Sequence, residues 1–96
     1  MTSFNDIIKS APIVLIDFHA DWCGPCKTLS PILKQLKDKR GDGLKLIKID
    51  IDRNNQLAQN LNVQAVPTML LYKEGRLTWR QSGVVPMNVI EQAIDR

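Results

Sequence analysis

An α/β domain, with a central mixed sheet of about four strands flanked by helices, is predicted by three features of this chain. Runs rich in Ile, Val and Leu alternate with stretches whose apolar residues recur every three or four positions. Two strand-like runs near the C-terminal end flank Lys73-Glu74-Gly75, which reads as a hairpin. The two cysteines, Cys23 and Cys26, stand at the first strand-to-helix junction. Ninety-six residues make a single domain over 1–96, large enough for one core with little to spare.

Each element has its own signal. Ser3 can cap a short helix that runs to about Ser10, with Phe4, Ile7 and Ile8 as its apolar stripe. Pro12 stops it, and a strand follows from Ile13 to His19. The second helix begins at the cysteines and reaches about Lys39. Its core stripe is Leu29, Ile32, Leu33 and Leu36, and Pro31 should kink it, because proline removes a hydrogen bond and crowds the preceding turn. Gly41-Asp42-Gly43 is a turn before a second strand, Leu44 to Ile51. Asn54 or Asn55 can cap a helix carrying Leu57, Ala58 and Leu61. The hairpin strands are Pro67 to Tyr72 and Arg76 to Ser82. Pro86 opens the last helix, with Val89, Ile90, Ala93 and Ile94 inward. Strand-helix-strand implies a parallel pair joined by a crossover, and the hairpin adds an antiparallel edge strand. Trp79 and Met69 read as ordinary packing.

Composition narrows the function. Thirteen basic and ten acidic residues give a net charge of +3, interspersed rather than clustered, so nucleic acid is not an expected partner. No apolar run approaches the roughly 18 residues of a membrane span, so no membrane association is expected. A single lysine precedes a short apolar run that Asp17 soon interrupts, a poor match to a signal peptide. A cytoplasmic protein is therefore expected, where disulfides tend to be transient and catalytic.

Cys23 and Cys26 carry the chemistry. Cα atoms three apart in a helical turn lie within disulfide range, so a bond between them can open and close with little backbone movement. Cys23 sits where free backbone N–H groups and the positive end of the helix dipole favour an anion, which raises the fraction of thiolate. Cys26, one turn on, is expected to lie deeper and attack second. A purely structural disulfide is the alternative, though so short a loop gains only about 2 kcal/mol. A closed zinc site needs four ligands, and His19 is the only other soft one, so no metal is expected. Asp17 shares a strand face with Ile13 and Leu15. It either ends the strand at the surface or is a buried acid with a raised pKa.

Trp22-Cys23-Gly24-Pro25-Cys26-Lys27 resembles the active-site motif of the thioredoxin family. The likeness extends to Asp17-Phe18, Pro31, Lys48-Ile49-Asp50, Val66-Pro67-Thr68 and Gly83, in the family's order and spacing over most of the chain. The resemblance implies the thioredoxin fold and protein-disulfide reduction by dithiol–disulfide exchange, with Cys23 attacking and Cys26 resolving. It implies a buried acid, Asp17, behind the second cysteine as proton acceptor, with Lys48 near it. It implies a cis Pro67, beside which the Val66 backbone pairs with an extended substrate. Trp22, Gly24, Pro25, Val66, Gly83 and Val84 would form an apolar docking patch. Gly24-Pro25 between the cysteines resembles reductases rather than oxidases or isomerases. The implied partners are disulfide-containing target proteins and a thioredoxin reductase that restores the dithiol, with no cofactor in the chain itself. The implied role is an electron carrier in general cell redox homeostasis. A binding module that uses the same patch as a subunit or chaperone is a competing reading, as is an oxidase or isomerase of an oxidising compartment.

Two departures stand out. The family's first strand is expected to be missing, since only three residues precede Phe4. That leaves Leu44 to Ile51 as an edge, which Lys45 and Lys48 would guard; a monomer is expected, with either marginal stability or edge-to-edge dimers at high concentration. His19 stands where the family usually has tryptophan.

Overall fold

A computed structural model describes residues 3–96. The first helix, α1 (Phe4–Ile8), is held by a capping box. Ser3 Oγ accepts the Asp6 N–H at 3.1 Å and the Asp6 carboxylate accepts the Ser3 N–H at 3.3 Å. Strand β1 (Ile13–His19) has the predicted bounds, and its five central residues are buried. Helix α2 (Gly24–Arg40) takes Cys23 as its N-cap rather than its first residue and continues through the exposed Pro31. Lys37, Lys39 and Arg40 lie in its last turn, where cations suit the helix dipole.

Gly41–Gly43 forms one 3₁₀ turn, with Gly41 at φ +54°. Strand β2 (Lys45–Asp50) is one residue shorter at each end than its apolar run. Leu44 packs into the core instead of pairing, at 1% exposure. Helix α3 (Asn55–Asn60) has Asn54 at its N-cap position, but the side chain does not cap it. Asn54 Nδ2 donates to the Asp50 carbonyl at 3.0 Å and so ties the helix back to β2.

Strands β3 (Thr68–Lys73) and β4 (Arg76–Ser82) form the hairpin. Pro67 lies outside β3, having no N–H to give to the ladder. Glu74 and Gly75 both have positive φ, 52° and 77°, as a two-residue turn matched to strand twist requires. Helix α4 (Met87–Asp95) begins after Pro86, which is its extended N-cap and not its first residue.

The sheet order is β2-β1-β3-β4, with β1 and β2 parallel and the other two pairings antiparallel. This is the predicted mixed sheet of four strands, with β2 at an edge among the described residues. Lys48 is exposed on that edge, and Lys45 Nζ donates to Ser10 Oγ at 2.8 Å.

Alternation along β1 divides the core in two. Leu15 joins Leu29, Leu33 and Leu36 of α2 and Ile90, Ala93 and Ile94 of α4, with Met69 and Leu71 from β3. Trp79 packs half-buried against this cluster. Val14, Ile16 and Phe18 pack on the opposite face with Ile8, Ala58, Leu70 and Tyr72. Each fully buried Leu or Ile contributes about 1.5–3 kcal/mol of transfer free energy. With both faces covered, β1 is a rigid stem, and its C-terminal end delivers residues 17–23 to one place.

Candidate active site

After β1 the chain turns at Ala20, whose carbonyl accepts the Cys23 N–H at 3.2 Å. Cys23 has extended backbone, φ −88° and ψ 110°, and its Sγ accepts the Cys26 N–H at 3.2 Å. A sulfur thus occupies the position usually taken by a capping oxygen, facing the unpaired N–H groups of the first turn of α2. Cys23 and Cys26 are joined in a disulfide, with Cα atoms 5.3 Å apart. The expectation that Cys26 lies deeper does not hold in this disulfide form. Cys23 is 4% exposed and Cys26 6%. The difference between them lies in their neighbours. Cys23 Sγ is 3.5 Å from the Val66 carbonyl oxygen, whereas Cys26 lines a pocket with Asp17 and Lys48.

That pocket has a volume of about 380 Å³, and Asp17, His19, Asp21, Cys26, Ser30 and Lys48 are among its walls. Asp17 is 2% exposed, and its Oδ1 has no hydrogen-bond partner among the described residues. Burial pushes its carboxyl above the ordinary 3.8, against the opposing pull of Lys48 and His19. Of the two readings of Asp17, a surface strand end and a buried acid, the structure has the second. Lys48 is Asp17's register partner across β1 and β2, but its Nζ donates to Ser30 Oγ at 2.5 Å rather than to the carboxylate. It acts on Asp17 through its field.

The Val66–Pro67 peptide is cis. Pro67 is buried and its carbonyl accepts the Gly83 N–H at 2.9 Å, which joins the two loops beside the disulfide. Gly83 has φ +85°, a conformation that disfavours any side chain. Around Cys23, Trp22 is 68% exposed and Val84 39%. Gly24 and Pro25 are exposed, and Val66 and Gly83 half-buried. Trp22 is no core residue. Its ring lies at the surface, where Nε1 donates to Asp52 Oδ2 at 2.8 Å. Sequence reasoning missed Asp52. It follows β2, and nothing local links it to a tryptophan 30 residues earlier.

The thioredoxin family profile matches residues 1–96, end to end. The chain belongs to the thioredoxin family. Thioredoxin from Bacillus subtilis is 38% identical over 87 residues, which cover 91% of this chain and 84% of that protein. The chloroplastic thioredoxin Y of rice (Oryza sativa subsp. japonica) is 37% identical over 95 residues, 98% of this chain; the match spans only 56% of the rice protein. Mitochondrial thioredoxin 3 of Saccharomyces cerevisiae, in its oxidised form, superposes with a TM-score of 0.87 at 34% identity, covering 97% of this chain and 87% of that one. The thioredoxin fold expected from the sequence is therefore the fold observed, and its Cys23–Cys26 pair is the C-x-x-C of a thiol–disulfide oxidoreductase. Among the described residues no helix is long and apolar enough to cross a membrane.

Proposed function

We propose that this thioredoxin-family chain reduces disulfides of other proteins, with Cys23 as nucleophile and Cys26 as resolving thiol. In the dithiol form the Cys23 thiolate attacks one sulfur of a target disulfide. A mixed disulfide forms and one target thiolate leaves. Cys26 then gives up its proton, with Asp17 as acceptor, and attacks Cys23 Sγ. The second target thiolate leaves and takes up a proton. The target has gained two electrons, and the chain is left with the Cys23–Cys26 disulfide.

The observation that carries this reading is the Cys23 sulfur at the α2 N-cap, receiving the Cys26 N–H. The same donor and the helix dipole favour a thiolate there. Asp17 suits the proton step because it is buried and lines the pocket that Cys26 lines. Lys48 supports it by pulling the carboxyl back toward ionisation. Trp22, Gly24, Pro25, Val66, Gly83 and Val84 are the proposed docking surface, and the Val66 backbone beside cis Pro67 is its edge for an extended peptide. Gly24-Pro25 sets the direction as reduction.

A separate reductase returns two electrons after each cycle, which makes the chain an electron carrier in general redox homeostasis. The cytoplasm is the proposed setting. Both cysteines are committed to the redox pair, leaving none for a structural disulfide, as suits a reducing compartment. The working species is proposed to be a monomer.

The test is turbidity of insulin with dithiothreitol as electron source. Wild type accelerates precipitation, Cys23→Ser abolishes the acceleration, and Cys26→Ser accumulates mixed disulfides. Normal turnover by Cys23→Ser would overturn the mechanism.

A further inference from the structure

The geometry points to a binding site for a zinc-class divalent cation formed by His19, Asp21 and Asp50. β1 and β2 are parallel, and His19 and Asp50, their last residues, are register partners. Asp21 follows in the turn toward Cys23. One ligand atom from each residue lies within 4.8 Å of the other two, the one such group among the described residues. Ligands about 2.0–2.1 Å from a tetrahedral zinc are about 3.4 Å apart, so rotamer adjustment closes the triangle without moving the strands.

The donor chemistry selects the ion. An imidazole nitrogen with two carboxylate oxygens suits zinc and its borderline neighbours, whereas calcium takes about 6–8 oxygen ligands. Asp50 is already oriented by a neighbour. Its Oδ1 accepts the Asp52 N–H at 2.8 Å, which leaves the second oxygen for a metal. A second, independent feature also favours a cation. Asp17 lines the same pocket as His19 and Asp21, is 2% exposed, and has an unpartnered Oδ1. Lys27 and Lys48 line the pocket too and limit the affinity, though Lys48 is engaged with Ser30. Three protein ligands leave one position open to water.

The test uses the untagged, fully oxidised protein, in which neither cysteine is free to bind metal. Zinc chloride is titrated by calorimetry, and the imidazole proton signal of His19, the chain's sole histidine, is followed by NMR. One equivalent should bind and shift that signal. Asp21→Asn, an exposed change that leaves the core untouched, should weaken binding roughly tenfold or more, as should His19→Phe, since losing even an outer partner of a metal ligand typically costs 10–100-fold. Two results would overturn the site: no binding and no His19 shift up to about 1 mM zinc, the weak end of the affinity scale, or Asp21→Asn and His19→Phe binding as wild type does.

Discussion

Asp17→Asn should stabilise the oxidised protein at pH 8, and the gain should vanish in acid. Asp17 is 2% exposed, its Oδ1 lacks a partner, and burial outweighs the attraction of Lys48 and His19. Its folded pKa therefore lies above the ordinary 3.8. Below 3.8 the acid is neutral in both states and carries no charge penalty. As pH rises from there to the folded value, the unfolded chain releases a proton that the folded chain keeps. The unfolded state then binds fewer protons, so stability falls with pH. Above the folded value the penalty is complete and constant. A buried polar group without a partner costs about 1–3 kcal/mol, and more when charged. Asparagine keeps the shape and the polar cost but loses the charge, so a gain of about 1–3 kcal/mol at pH 8 is expected. For a domain of this size each kcal/mol moves the Tm by roughly 4–8 °C. Denaturant midpoints of both oxidised proteins at pH 3.5, 5.5 and 8 should diverge progressively. A variant less stable than wild type at pH 8, or a gap that ignores pH, would refute a buried, uncompensated acid.

Leu33→Ala should destabilise the domain by about 2–5 kcal/mol, a large part of its whole stability, because Leu33 is fully buried between α2 and the sheet; urea midpoints check this. Trp22→Ala should leave stability within about 0.5 kcal/mol, since the ring is 68% exposed. It should lower kcat/KM for a protein disulfide by about tenfold, equivalent to 1.4 kcal/mol of lost docking, while a small-molecule disulfide is reduced as before. Equal losses on both substrates would place Trp22 in the chemical step rather than in docking.

Much of this molecule is legible along the chain because its signals are local. β1 has the bounds expected from its apolar run, since a strand covered on both faces leaves no polar residue inside except one that is needed. The stripe of α2 and the Glu74-Gly75 turn follow from helical spacing and from glycine's tolerance of positive φ. Cys23 and Cys26 are found by spacing alone. Tertiary structure decided what depends on elements far apart in sequence. Local pattern suggested a capping role for Asn54, but the carbonyl of Asp50 lies within its reach and takes its side chain. Depth within a helix suggested unequal burial of the cysteines, but the loop at Val66 closes over Cys23 and makes them alike. Lys48 stands opposite Asp17, Asp52 holds the Trp22 ring, and Asp50 meets His19 and Asp21 because β1 and β2 run parallel in one register. That register is set by the ladder hydrogen bonds and by helix packing across the crossover. Periodicity names the residues of each strand and is silent about which residue of another strand they face.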